Sequence, residues 1–423
     1  MNSPDTSDSH AHAAASSDHA APAPATPLSM FALLAMSALC LLAPRGALAQ
    51  ADKPAAGLDL QHARAQFVEA KGKKVFYTKR WDLSDLPSYE PKQKVSGTIR
   101  MWGSNYIVDG NVGRYWEEGF RKFHPGVKFD YHMKTTVAAV PALVFGVGDI
   151  GVGRKITFAE LLLYQRYNDR DPLEITAATG SYDVTGWQPG YGIVVNKDNP
   201  VTQLTLQQLD GIFGSQRLGG WEGTSWHPEY ARGPEGNIRT WGQLGAQGEW
   251  ADRPINVYGL NLRYHQATEI SDRLLRASDK WNEQLRIYAN FVTPDGKLGR
   301  SLTDDLAKDR FGIAYIAAPT RNLPPELKTV ALAQTPAGPY VPYTMETVHD
   351  RSYPLFDEIY MYVDQAKDRS IDPKVKEFLR FIVSREGQEA VQRDGKYLPL
   401  TAAVVREQLR KLDGAAPMAR TLE

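Results

Sequence analysis

Four short polar turns carry the residue types best suited to gripping a small anion. Ser104, Asn105 and Tyr106 follow the alternating stretch Gly97 to Trp102. Thr135 and Thr136 follow a second alternating stretch, Val127 to Tyr131. Arg154, between Gly153 and Lys155, follows the run Asp149 to Val152. Arg263, Tyr264 and His265 come shortly after the run ending at Tyr258. Hydroxyl and ring N–H groups donate to oxyanions, and an Arg guanidinium adds charge-assisted bonds of about 1.5–3 kcal/mol each. Any one of these turns is an ordinary capping loop. Their shared placement, each after an apparent strand, predicts an oxyanion-binding site built from these nine residues.

Such turns need a scaffold. In an open α/β sheet, ligands sit at the carboxyl ends of the strands, where helix N-termini present free N–H groups and a positive dipole end. The sequence has that rhythm. Residues 111 to 123 place Val112, Trp116, Phe120 and Phe123 at helical spacing, and His124-Pro125-Gly126 stops the helix. Residues 137 to 146 read as a helix interrupted near Pro141. Thr157, with Glu160 three residues on, is a capping signature for a helix over 159 to 164. Strands are predicted at 191–196, 254–258, 312–316 and 360–363, and helices at 204–213, 266–290 and 373–394. Alternating strands and helices argue for an α/β fold with a largely parallel sheet. Between 214 and 248 lies a loop-rich segment with Trp221, Trp226 and Trp241. Residues 50 to 95, including Lys71-Gly72-Lys73-Lys74, read as a solvated linker or extension.

Composition narrows the classes. The chain has 423 residues, 49 basic and 49 acidic, which excludes a strongly basic nucleic-acid binder. Cys40 is the single cysteine, so no intramolecular disulfide and no multi-thiolate zinc site can form. Residues 1 to 29 lack Lys and Arg and are rich in Ala, Ser and Pro. The apolar run 30–43 is too short to span a bilayer and precedes Ala47-Leu48-Ala49, so it reads as a signal peptide cleaved after Ala49. Translation starts at Met1 or at Met30. Lipidation of Cys40 is disfavoured by Leu39 before it.

Tests for other chemistry fail. Gly146, Gly148 and Gly151 spell a dinucleotide fingerprint, but they precede or lie within a strand instead of following one. No P-loop and no G-x-S-x-G elbow occur. His124 and His132 lack metal-ligand spacing, and the adjacent carboxylates Glu117-Glu118 and Asp304-Asp305 do not face one site on a helix. No catalytic residue, metal site or cofactor is predicted.

Longer stretches carry a resemblance. They are GTIRMWGSNYI (97–107), WEEGFRKFHPGVKF (116–129), DIGVGRKIT (149–157), YGIVVNKDNPVTQLTLQQLDGIFG (191–214), TWGQLGAQGEWADRPINVYG (240–259), GIAYI (312–316) and PKVKEFLRFIVSREGQEAVQRDGKYLPL (373–400). In this order they resemble the phosphate-type periplasmic solute-binding proteins of ABC transporters. The resemblance implies a type II two-lobed α/β fold with the ligand in a cleft between lobes. Its expected boundaries are a leader at 1–49, an extension at 50–95, lobe one at 96–189 and 351–412, lobe two at 190–350, and a tail at 413–423. It implies phosphate or a related oxyanion as ligand, an ABC-transporter permease as partner, a monomer, a periplasmic location and no enzyme activity. Ser104 matches the family's first ligand turn. Thr135-Thr136 keeps hydroxyls but lacks the usual glycines, Gly153-Arg154 keeps the Arg but lacks the hydroxyl, and Asn261 to His265 replaces a Ser-Gly-Thr turn. These departures leave a diverged binding or sensor protein for an organophosphate or carboxylate open beside phosphate transport. An enzyme working in the same cleft is a third reading, unsupported by any nucleophile–base pair.

Overall fold

A computed structural model describes residues 68–262, 264–288, 301–366, 368 and 370–414. The leader, the signal-peptide reading, Cys40 and Arg263 lie outside the described residues. The first half runs β1 (Gly97–Gly103), α1 (Tyr106–Asp109), α2 (Val112–Arg121), β2 (Val127–His132), α3 (Ala139–Val144), β3 (Ile150–Gly153), α4 (Phe158–Asn168) and β4 (Leu173–Thr179). Next come β5 (Tyr191–Asn196), β6 (Gln203–Thr205), α5 (Leu206–Phe213), β7 (Gly220–Glu222), β8 (Ser225–His227), β9 (Asn256–Leu260), α6 (His265–Leu274) and β10 (Arg286–Tyr288). The chain continues through α7 (Leu302–Ala307), β11 (Gly312–Ala317), β12 (Leu327–Thr329), β13 (Ala331–Ala333), α8 (Met345–His349), β14 (Glu358–Val363), α9 (Pro373–Ile382), α10 (Arg385–Asp394) and α11 (Ala402–Leu412).

Two five-stranded sheets result, in the orders β2-β1-β3-β14-β4 and β10-β9-β11-β5-β12. We call them lobe one and lobe two. In lobe one, β1 pairs in parallel with β2 and β3, and β14 is antiparallel to β3 and β4. All four parallel strands therefore end at one edge, which is where turns can collect. The alternation in β1 buries Ile99 and Met101, while α2 buries Val112, Trp116 and Phe120 at four-residue spacing. The Phe120 ring lies 5.2 Å from Phe378 and 5.7 Å from Phe381 of α9. Burying each such side chain contributes about 1.5–3 kcal/mol.

The chain passes between lobes twice, and the two passages are hydrogen-bonded to each other. Gly180 N–H donates to Asp357 O at 2.7 Å, and Tyr191 N–H to Leu355 O at 2.9 Å. A hinge built this way holds the lobes in register.

Three sequence expectations need correction. The helix expected over 266–290 ends at Leu274, and Arg276, Ala277 and Asp279 have φ of 55°, 50° and 55°, which no helix tolerates. Residues 286–288 are strand β10. The closing helix over 373–394 is two helices, because the Ser384 hydroxyl turns to accept from Gly387 N–H and donate to Phe381 O. Strand β4 had no sequence signal, since its Ala and Thr content gives no clear alternation.

Residues 73–95 are also not a solvated linker. Tyr77, Leu83, Leu86 and Tyr89 are buried. The Tyr77 hydroxyl lies 2.7 Å from Ser181 Oγ and accepts the N–H groups of Tyr182 and Asp183 at 3.0 Å. Tyr89 donates to Glu377 at 2.7 Å, and Trp81 stacks on His349 at 3.6 Å. Lys73 of the basic run donates to Gly110 O at 2.6 Å. Single apolar anchors separated by polar residues have no period, so the sequence shows none of this. Among the described residues no helix is long and apolar enough to cross a membrane.

Candidate functional site

At the end of β1 the backbone itself sets the site. Gly103 has φ of 134°, and a Cβ there would meet Val152 O at 2.0 Å. Only glycine fits, and the close approach lets Ser104 N–H donate to Val152 O at 2.9 Å. Ser104 is thereby buried beside the end of β3. At Gly153 a Cβ would lie 3.1 Å from the Thr136 side chain, so the Thr135-Thr136 turn packs on the same strand end. Asn105 donates its amide to Asp109 Oδ2 at 2.6 Å, and Tyr106 packs against Trp187 with ring centroids 5.1 Å apart. The hydroxyls of Ser104, Thr135 and Thr136 make no hydrogen bond among the described residues.

Arg154 follows β3 and is 6 % exposed. Its guanidinium is held on both sides by Glu160, at 2.9 and 3.1 Å, and donates to Lys155 O at 2.9 Å. Glu160 is the same residue that caps α4 with Thr157. Burial works against the Arg154 charge, but Glu160 outweighs it and raises the guanidinium above its ordinary value. Burial likewise raises Glu160, and Arg154 outweighs it to hold the carboxyl low. One donor is left over: Arg154 Nε is buried without a partner among the described residues. An orphaned buried donor costs about 1–3 kcal/mol, which an oxyanion acceptor would recover.

Lobe two faces this wall with α6. Tyr264 precedes it and provides no side-chain cap, leaving the first N–H groups of the helix uncapped by side chain. His265, Glu269 and Asp272 fall at i, i+4 and i+7, one face of the helix. Desolvation lowers the His265 pKa, Glu269 opposes, and Arg154 lowers it further. Glu269 accepts from Gln188 at 2.9 Å and from the Tyr191 hydroxyl, tying α6 to the first interlobe passage. The fully buried Asp357 accepts from Gln188 at 2.8 Å and from Arg273 at 3.2 Å on the second passage. Burial, reinforced by Glu269, pushes the Asp357 carboxyl well above its usual range. Asp272 is pushed up to about 7, first by burial and then by Glu269.

The fold thus collects Ser104, Thr135, Thr136 and Arg154 at one strand edge, and sets His265 within electrostatic range of Arg154 from the other lobe. Asn105 and Tyr106 stand beside that edge but are committed to structural partners. Sequence reasoning missed Glu160 as the partner of Arg154, and missed Glu269, Asp272 and Asp357. The i, i+4, i+7 pattern of His265, Glu269 and Asp272 was a readable signal; the others depend on long-range contact. A cavity of about 710 Å³ is lined from lobe one by Lys155, Glu174 and Tyr360 and from lobe two by Asp272 and Arg273, and by none of the site residues predicted from sequence. Among the described residues no group of three or more His, Cys, Asp or Glu is arranged to hold a metal ion.

A family model described as a PBP superfamily domain matches residues 90–386. The chain belongs to the PBP superfamily. This PBP-superfamily chain is similar to the phosphate-binding protein PstS of Pseudomonas aeruginosa, with 28% identity over 329 residues, covering 77% of this chain and 90% of the relative. It is also similar to solved structures. An ABC-type phosphate transport receptor from Vibrio cholerae shares 18% identity at a TM-score of 0.43, covering 71% of this chain and 99% of that one. PstS from Borrelia burgdorferi shares 16% identity at a TM-score of 0.45, covering 73% and 100%.

Proposed function

We propose that the chain captures inorganic phosphate or a related oxyanion outside the cytoplasm, and delivers it as a monomer to the permease of an ABC transporter. It acts by binding and release, without a chemical step or cofactor. The observation that carries this reading is Arg154, a buried guanidinium with an unpaired Nε beside the free hydroxyls of Ser104, Thr135 and Thr136. The similarity to a phosphate-binding protein over 90% of that relative's length supports it. Arg154, those hydroxyls and the α6 N-terminus with Tyr264 and His265 form the anion grip. Export follows cleavage after Ala49.

The test is calorimetric titration of the chain from residue 50 onward, freed of bound ligand by partial unfolding and refolding, with phosphate and with sulfate. Saturable binding that prefers phosphate is expected. A folded protein that binds neither anion overturns the reading. The acidic face of α6 favours a second reading, in which the cleft takes an organic anion and serves sensing instead of uptake.

A further inference from the structure

Two covalent passages join the lobes, and the β7–β8 hairpin makes a third crossing without one. The hairpin closes on Gly223 and Thr224, with Gly223 at a φ of 57° as the first position of such a two-residue turn requires. Its root belongs to lobe two. Arg217 grips the buried Asp210 of α5 through two bonds of 2.6 and 2.7 Å. The Trp221 N–H donates to Arg276 O, just past the end of α6, at 2.7 Å. Its tip touches lobe one. The Trp221 ring lies 4.9 Å from that of Phe158 on α4. Thr224 Oγ1 donates to Gln165 Oε1 at 2.9 Å. A Cβ on Gly223 would stand 3.7 Å from Leu161 Cδ2, so the turn lies against that side chain. Phe158, Leu161 and Gln165 fall at i, i+3 and i+7, one stripe of α4.

The helices joined in this way are the two that carry the anion grip. Near its start α4 holds Glu160, the partner of Arg154, and α6 begins at His265. Any opening that carries α6 away from α4 separates Trp221 from Phe158 and breaks the bond from Thr224 to Gln165. Resting on the reading of the cleft as an oxyanion site, we infer that the β7–β8 hairpin is a latch, in which Trp221 and Thr224 hold α4 against lobe two and retain the bound oxyanion by keeping the lobes closed. Trp221 is then a positioning residue that acts through α4 and α6. Contacts made only in the closed arrangement shift the population towards it, and a buried aromatic pair is worth about fivefold in that equilibrium.

The test uses the full chain with Cys40→Ser, spin-labelled at Arg166→Cys on α4 and Lys280→Cys past α6, both exposed and outside the latch contacts. Electron resonance reads the distance between the labels, without anion and with phosphate. With the hairpin intact one short population is expected. Trp221→Ala should add a longer one, and so should Phe158→Ala, which leaves the hairpin unaltered; the double variant should go no further than either. An unchanged distribution in both single variants overturns the latch. A change in Trp221→Ala alone also overturns it, since the effect is then confined to the hairpin. These distances need no ligand. The second readout is phosphate release by stopped flow, expected to be about fivefold faster in either variant. A residue that served only the fold would lower the melting temperature and leave distances and release unchanged. Phosphate binding with an unchanged release rate overturns the retention role. Failure of every form to bind phosphate removes the oxyanion reading, and the label distances then decide the latch by themselves.

Discussion

Arg154 and Asp272 lie in different lobes and stand in opposite electrostatic states. Arg154 is buried, gripped on two sides by Glu160 and fixed to the start of α4. Asp272 has no hydrogen-bond or ion-pair partner among the described residues, and burial together with Glu269 raises its carboxyl to about 7. The lobe-one group has its charge satisfied from within, with one buried N–H left without a partner among the described residues. The lobe-two carboxyl has no such pairing among the described residues.

The largest expected effect comes from breaking the lobe-one pair. Arg154→Ala leaves Glu160 buried and uncompensated, which costs about 3–5 kcal/mol. Urea denaturation reads this directly, and a loss below 1 kcal/mol, on the order of a surface substitution, would show the pair to be solvated. The double variant Arg154→Met with Glu160→Leu removes both charges. It should fold nearly as well as the original and fail to bind phosphate; retained binding would mean that Arg154 serves only the fold.

Gly103→Ala attacks the same wall through the backbone. The added Cβ would meet Val152 O at 2.0 Å at a φ of 134°. A loss of about 1–3 kcal/mol is expected, with weaker phosphate binding because Ser104 is displaced. A variant with unchanged thermal stability would place the strain elsewhere.

Asp272→Asn should act with the opposite sign. The folded chain holds the Asp272 proton to about pH 7, against an ordinary value of 3.8. Stability from this group is therefore full below about pH 4 and is lost as the pH rises towards 7 and beyond. Asn cannot ionise, so the variant should be more stable than the original at pH 8, on the order of 1–2 kcal/mol after allowance for water in the cavity. The advantage should vanish at pH 4. Thermal melts at the two pH values decide it, and an advantage that does not change with pH would exclude titration of Asp272 as its cause. The smallest effect sharpens the contrast with Arg154. Arg114 pairs with Glu118 on an exposed face of α2, and Arg114→Ala should leave the urea midpoint unchanged.

Much of the scaffold was legible in the residues. Alternation in Gly97 to Trp102, helical spacing through Val112, Trp116 and Phe120, and the Thr157–Glu160 capping box each report local geometry, and each forms as read. The turns of Ser104, Thr135, Thr136 and Arg154 were legible as strand ends. Illegible were the break at Ser384, the early stop of α6, and the packing of residues 73–95, where Tyr77 reaches a partner 104 positions away.

The sequence by itself determined most of the lobe-one alternation of strands and helices, the neutral charge balance and the residue types carried to the strand ends, because those depend on neighbours a few residues apart. Only the tertiary structure decided that Glu160 is the partner of Arg154, that Asp272 has none among the described residues, and that Asp272 lines a cavity of about 710 Å³. Burial and charge pairing depend on which distant segments close over a residue, and that closure is a property of the folded chain.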